Sequence, residues 1–404
     1  MRVAYIAVIS MSWRASENDA ADPIRVAVLG AGHAGRGLAG YLSIHGFDVS
    51  LYNRTITNIK NISKISGIKV QGLYDSFAHF PLVTDDIAKA IEDRDILIVV
   101  VPAQAHTFFA KSMAPHLQSG QTILLMPGRT GGALEFAQIL RSQSHTNRIL
   151  LGEAQTFSFV SRITGTDSVL VSKVKNTTKV SAFPASHNNR FLRSLRRLPI
   201  TFSMADDVME TSLDNVGAML HPTPTILCAG LLESKEGGYN HYHDAISESV
   251  GRLIERMDVE RISVSREYVS HPVSLLEWLR TTYDAEGTTL CDCIQSTDAY
   301  DDVGSPLSLN HRYVLEDVPT GLVPISHLGR LVGVDTPAIN AVINMACQLY
   351  NHDFWSSGRN LVRLGLAGLD PGEIQEYVRS GAIPEKYPEL HEISDMFELE
   401  VDEI

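Results

Sequence analysis

Cysteine is scarce in this chain: four residues in 404, at Cys228, Cys291, Cys293 and Cys347. They lie far apart except for one Cys-x-Cys, which leaves neither a disulfide framework nor a zinc-type spacing, and a reducing compartment is the simplest home. A metal pair at Cys291 and Cys293 is disfavoured, and no metal site is expected. Apolar runs long enough to cross a bilayer are missing, so no membrane association is expected. Positive charge is also short, with 34 Lys and Arg against 47 Asp and Glu for a formal charge of -13. That balance argues against non-specific nucleic-acid binding, which requires a basic footprint. It does not exclude a small phosphate-bearing ligand, because a few local donors overcome a diffuse acidic field. What remains, 44% hydrophobic and 20% charged residues, is the composition of a soluble globular protein. The length suits two domains, each able to bury its own core.

Ile24 to Thr55, IRVAVLGAGHAGRGLAGYLSIHGFDVSLYNRT, carries the clearest signal. An apolar run leads into Gly30, Gly32 and Gly35, a helix-compatible segment follows, and a second apolar run covers Val49 to Tyr52. In this pattern Gly30 permits the tight turn, Gly32 lets backbone approach a pyrophosphate, and Gly35 lets the helix pack against the sheet. The N–H groups around His33 and Ala34, at the start of the helix, face the phosphates. A lone G-x-G-x-x-G is weak; strand, turn, helix and second strand in order make it a dinucleotide site. The second strand ends in Asn53, Arg54 and Thr55, where an acid would accept hydrogen bonds from a ribose and an arginine suits a 2'-phosphate. NADP(H) is therefore the preferred cofactor and NAD(H) the alternative.

Residues 1–23 precede this unit. Arg2 and Val3 to Met11 mimic a short signal peptide, yet a polar stretch separates them from the first strand. A flexible N-terminal extension, or a start codon set too early, fits better than export, and a cytoplasmic location is expected.

Further along, Ile68 to Val83 reads as short strands, and Asp85 to Asp93 as a helix capped by Asp85 or Thr84. Asp95 to Val101 and Gln121 to Met126 read as buried parallel strands. The first ends at Pro102, whose position at a strand's carboxyl end borders the cofactor cleft; the second ends in the turn Pro127 to Gly132. Ala133 to Arg141 is helical and Ile149 to Glu153 a strand. Ser168 to Val174 with Lys179 to Phe183 reads as a hairpin closing the sheet. Asn188 to Arg197, with four arginines, reads as a solvated helix face. After about residue 205 the pattern turns helical, with candidates at Asp207 to Leu220, Thr225 to Leu232, Tyr239 to Met257, Val273 to Asp284, Thr320 to Leu331, Pro337 to Tyr350 and Pro371 to Ser380. The expected architecture is α/β: an N-terminal doubly wound Rossmann domain over 24–205 and a C-terminal all-helical domain over 206–404, with a substrate cleft between them. The acidic end from Glu389 is read as a solvated helix or frayed tail.

In the helical half, His221 precedes Pro222-Thr223-Pro224, and a pre-proline residue is pushed out of the α region. The expectation is a helix break that aims its side chain into a cleft. Further on, NHRYVLEDVPTG places Glu316 and Asp317 before Pro319, which can open a helix with an acidic N-terminus.

Together these parts resemble the octopine/nopaline (opine) dehydrogenase family, within the wider group that includes 6-phosphogluconate dehydrogenase. The resemblance runs from about Ile24 to about Gly381. It rests on GAGHAGRGLAGYL, PAQAH, PGRTGGALEF, NVGAMLHPTP and NHRYVLEDVPTGLVP in that order. It implies an NAD(P)H-dependent condensation of an amino acid with a 2-oxo acid, such as pyruvate or 2-oxoglutarate, through an imine to a secondary-amine dicarboxylate. The family's catalytic histidine matches His221 and its partner carboxylate matches Asp317, in preference to Glu316. A histidine titrates near neutrality and can move the amine proton, while a carboxylate fixes its tautomer.

Asn215 is a candidate substrate amide, although six residues of regular helix would turn it away from His221 unless Gly217 or the break bends the chain. Arg312 either clamps a substrate carboxylate or holds Glu316 or Asp317. Tyr239, His241 and Tyr242 are read as surface residues that could instead line the amino-acid pocket, and Thr156 and Arg162 are further guesses. Two other functions compete: a hydroxy-acid or sugar-phosphate dehydrogenase of the same plan, which would use a helical-domain lysine that is not found near NVGAMLHP, and a non-catalytic NADP(H) redox sensor. A homodimer is the default expectation for such an enzyme.

Overall fold

The computed structural model describes residues 24–143, 148–234 and 238–382. The expected N-terminal extension and the acidic end from Glu389 lie outside them. Twelve strands run β1 Arg25–Leu29, β2 Asp48–Tyr52, β3 Gly67–Gly72, β4 Ser76–His79, β5 Leu82–Thr84, β6 Ile96–Val99, β7 Thr122–Leu125, β8 Leu150–Ala154, β9 Phe159–Gly165, β10 Ser168–Val174, β11 Thr178–Phe183 and β12 Phe202–Met204. Eight form the main sheet in the order β12-β11-β8-β7-β6-β1-β2-β5. From β5 to β8 all pairs are parallel; β11 runs antiparallel to β8 and parallel to β12. The chain steps from β1 to β2 on one side and returns to β6 on the other. The crevice at the carboxyl ends of β1 and β6 is thus the topological switch point, where such sheets bind ligands.

The continuous apolar runs follow from burial on both faces. Val26 and Val28 pack with Leu38, Leu42 and Ile98 on one side, while Ala27 and Leu29 pack with Leu97, Phe109 and Ile123 on the other. Each such aliphatic side chain contributes about 1.5–3 kcal/mol by leaving water. Past Met204 the described elements are helical. Their core, around Met219, Ile254, Met257, Leu322, Ile325 and Val342, also takes in Ala133, Leu134 and Phe183 from the sheet half. No described helix is long and apolar enough to cross a membrane.

Several local expectations are corrected. The proposed hairpin is two strands of different sheets: β10 pairs with β9 and with β3, inside a second sheet ordered β4-β3-β10-β9, whereas β11 belongs to the main sheet. The helix placed at Asp85 begins at Ile87, because the Asp86 carboxylate caps it by accepting from Ala88 and Lys89 N–H. The helix placed at Tyr239 begins only at Glu248, capped by Ser247. Ahead of it, the Asn240 side chain accepts from the N–H of Tyr242 and His243 and folds a separate turn, a standard competitor of helix for Asn. The arginine-rich segment is a helix, Asn188–Leu195, with Arg190 and Arg193 exposed.

Candidate functional site

At the switch point, Gly30 has φ +115° and a Cβ there would lie 2.3 Å from the Val100 carbonyl oxygen; a Cβ on Gly35 would lie 1.7 Å from the Gly30 oxygen. Neither position accepts another residue without moving backbone. Gly32 differs, since a Cβ there would meet nothing within 4 Å. It is the N-cap of the helix His33–Ile44, and no side chain caps that helix. The first-turn N–H groups therefore lack intrahelical partners and face open space, which fits a dinucleotide's pyrophosphate.

Asn53 braces the turn: its Oδ1 accepts from Ala31 N–H at 3.3 Å and its Nδ2 donates to the Thr55 oxygen at 2.9 Å. Arg54 and Thr55 are exposed. The Arg54 guanidinium lies 5.5 Å from the Phe108 ring centre, and no acid pairs with it among the described residues. Pro102 precedes the short helix Ala103–Ala105, after β6. His33 accepts from Ile163 N–H through Nδ1 at 2.8 Å, which ties the turn to β9. Burial, with Arg162, Arg312 and Arg36 behind it, holds the His33 imidazole below its ordinary pKa.

Across the crevice, His221 Nδ1 lies 2.7 Å from Asp317 Oδ2. Asp317 is fully buried, while 14% of the His221 side chain is exposed. The expected helix break is corrected in detail. His221 keeps right-handed helical angles, φ -95° and ψ -50°, between the short helices Gly217–Leu220 and Pro222–Leu227. Packing overrides the pre-proline preference, and the interruption is in hydrogen bonding, since Pro222 has no N–H to donate. The acids do not open a helix either. They follow Arg312–Leu315 directly and lead into a π-helical turn, Val318–Leu322, before the helix Val323–Leu331.

Glu316 and Asp317 part company here. Glu316 Oε1 accepts from Ala103 N–H at 3.1 Å and from Arg129 Nε at 3.2 Å, so it ties the helical half to the loop after β6. Asp317 alone reaches His221. Burial opposes its charge, but Arg129 and His221 outweigh burial and hold its carboxyl below the usual value. An ionised Asp317 accepts the Nδ1 proton and leaves Nε2 of His221 as the nitrogen with a free lone pair.

Arg129 was missed by the sequence reading. It sits in the 127–132 turn at φ +61°, with Nη1 3.6 Å from Asp317 Oδ1 and 3.4 Å from Asn215 Oδ1. The turn itself is pinned by the buried Arg359, which donates to the oxygens of Gly128 and Thr130 and pairs with Glu135 at 2.7 Å. The only local hint was an arginine flanked by glycines; its partners are more than 80 residues away. Asn215 is buried and donates to Thr130 Oγ1 at 3.2 Å, so Arg129 brings it into the network of the pair despite the helical phase. Arg312 is exposed, 3.8 Å from Glu316 Oε2.

The His221 ring stacks on Tyr313, 4.3 Å between centres at 15°, and the His241 ring lies 4.6 Å from that of Tyr313. His241 and Tyr242 are buried, contrary to the surface placement expected for them. Burial, with His221 and His311 adding to it, pushes His241 down to about 3, so it is neutral.

Gly217 fits this network tightly. A Cβ there would lie 2.7 Å from Arg129 Nη1 and 3.3 Å from His221 Cε1. Gly217→Ala should lower turnover roughly 10- to 100-fold by displacing groups that need sub-ångström placement. Steady-state kinetics beside a cofactor titration check this: turnover should fall while cofactor affinity holds.

A Rossmann sheet with an open glycine turn, joined to a helical half that carries a His–Asp pair, defines a two-part nicotinamide-dependent dehydrogenase. Residues 204–350 match the family described as NAD/NADP octopine/nopaline dehydrogenase, alpha-helical domain, and residues 25–149 match the N-terminus of NAD-dependent glycerol-3-phosphate dehydrogenase. An opine dehydrogenase of Arthrobacter sp. is 36% identical over 87% of this chain and 98% of its own length. A vitopine synthase of Allorhizobium ampelinum is 25% identical over the same shares. Octopine dehydrogenase in complex with NADH and agmatine has the same fold, at a TM-score of 0.73 and 18% identity over 89% of this chain and 98% of that one. The chain belongs to the opine dehydrogenase family, as NAD(P)-dependent oxidoreductases acting on the CH–NH group.

Proposed function

We propose that this chain is an NADP(H)-preferring opine dehydrogenase that joins an amino acid to a 2-oxo acid, with His221 as acid–base and Asp317 as its partner. The observation that carries this reading is the 2.7 Å contact of His221 Nδ1 with a fully buried, ionised Asp317. It leaves one basic nitrogen at the cleft and a carboxylate behind it to stabilise the imidazolium. His221 Nε2 takes the proton that the amino acid's ammonium must lose before its nitrogen attacks the oxo-acid carbonyl. The same imidazolium returns that proton to the hydroxyl that leaves as water, giving the protonated imine, whose nitrogen keeps its remaining proton. A bound nicotinamide supplies the hydride for the C=N carbon. Asn215 and Arg312 stand beside the pair and are assigned to substrate, Arg312 because its exposed guanidinium can take a carboxylate bidentately.

The cofactor would be held by the turn Gly30 to Gly35, including His33 and Ala34, and by Asn53 to Thr55, with Pro102 at the adjoining strand end. The preference for NADP(H) rests on Arg54, which is exposed and unpaired by any described acid, and on the absence of an acid at Asn53. Arg54→Ala should weaken NADPH by about 1.5–3 kcal/mol, the worth of a charged hydrogen bond, and NADH far less. Fluorescence titration with both cofactors reads this directly, and equal losses would refute a 2'-phosphate contact. The activity itself is tested by NADPH oxidation against a panel of amino acids with pyruvate or 2-oxoglutarate. The reading requires oxidation that depends on both substrates; none with any pair, despite NADPH binding, overturns it.

A further inference from the structure

We propose that Lys175, held by Thr156, is a second carboxylate seat of the cleft and binds a carboxylate of one of the two condensing substrates, an inference that rests on the opine reading above. Gln155 and Thr156 follow β8 directly, at the carboxyl end that it shares with the parallel strand β7. Lys175 lies in the turn that joins β10 to β11, fixed by its N–H to the Ser158 oxygen at 2.8 Å. Gln155 N–H donates to the Lys179 oxygen, so this turn closes over the same end of the sheet as the catalytic crevice. The Lys175 ammonium donates to Thr156 Oγ1 at 3.0 Å.

Of the other cations of the neighbourhood, Lys173 and Arg312 are exposed and the rest are engaged. Arg129 faces Glu316 and Asp317, Lys179 holds Glu210 and Asp214 at 2.7 and 2.9 Å, and Arg359 holds Glu135. Arg312 stands near Glu316 and can receive one carboxylate. An opine product has two. Arg162 acts on His33 at the dinucleotide turn, whereas Lys175 lies in the field of Arg129 at the catalytic end. Among the described residues no acid pairs with Lys175, although an ammonium has three donors and its hydroxyl partner uses one. Burial, then Lys173 and Arg129, push its pKa down to about 8. A half-buried cation without a counter-charge is costly, and an incoming carboxylate removes that cost.

The test compares wild type, Lys175→Met, Lys175→Arg and Thr156→Val. Lys175→Met should raise KM for one carboxylate substrate roughly 10- to 100-fold, with a smaller change in kcat and an unchanged NADPH Kd. Lys175→Arg should recover most of the loss, and Thr156→Val should move the same KM by a smaller factor. Whether KM rises for the amino acid or for the oxo acid identifies which carboxylate is seated. Calorimetric titration of the NADP+-loaded protein with pyruvate, and with the best amino acid, reads the seat without turnover. Unchanged KM values and affinities, or a parallel loss of NADPH binding, overturn the seat. A wild type that forms no condensed product from any pair overturns the opine reading instead.

Discussion

His221→Ala is expected to lower turnover by about 10²–10⁴-fold, the usual worth of a positioned acid–base, while NADPH still binds. The separation of effects follows from the architecture. The glycine turn and Asn53 to Thr55 belong to the sheet half and do not touch the His221 ring, so removing an imidazole leaves the dinucleotide site intact. Amine deprotonation, by contrast, loses the imidazole that is paired with an ionised Asp317, and His241, pushed to about 3, cannot substitute near neutrality. Asp317→Asn should reproduce much of the loss, since an amide presents a donor where Nδ1–H needs an acceptor. Near-normal turnover of His221→Ala in steady-state assays would refute the assigned role.

Arg129→Met is expected to cost about 3–5 kcal/mol of stability, the effect of removing one partner of a buried ionic cluster. The substitution keeps the apolar stem but leaves Asp317, fully buried, and Glu316, with 2% of its side chain exposed, without their shared cation. The pH dependence has a definite sign. In the native protein Asp317 has a lowered pKa, so its contribution is present above the unfolded carboxyl value and lost as pH falls through the folded one. Without Arg129 the burial that now opposes its charge is no longer outweighed by that cation, and its folded pKa rises. If it passes the unfolded value, protonation favours the folded variant and the deficit shrinks on acidification. Urea unfolding at pH 5 and pH 8 measures both effects, and a deficit that grows toward pH 5 would contradict the assignment.

Much of this was legible in the chain. β1, β6 and β7 follow from continuous apolar runs closed by glycine or proline, because a strand buried on both faces has no polar side to alternate. The glycine turn was readable from its spacing, although the contacts behind it differ: Gly30 is constrained by Val100 of the neighbouring strand end, Gly35 by Gly30, and Gly32 by nothing within 4 Å. His221 and Asp317 were placed by resemblance, since 96 residues separate two side chains that meet at 2.7 Å. Non-local pairing defeated the rest. β10 lies beside β3, about a hundred residues earlier in the chain, and nothing in either strand's pattern encodes that choice over β11. Arg129 joins acids 187 residues away and looks, in sequence, like any arginine in a turn. The helix expected from Tyr239 kept its apolar spacing through Tyr242 and Ile246, both buried; side-chain capping by Asn240 and Ser247 decided otherwise.

The central claim is that the cleft joins two substrates through nitrogen. Its most direct measurement is mass spectrometry of the product formed from a 15N-labelled amino acid, a 13C-labelled 2-oxo acid and NADPH. The account predicts one species carrying both labels, with the mass of the two substrates less one water and plus two hydrogens. A 13C-labelled hydroxy acid beside unchanged 15N amino acid would contradict it.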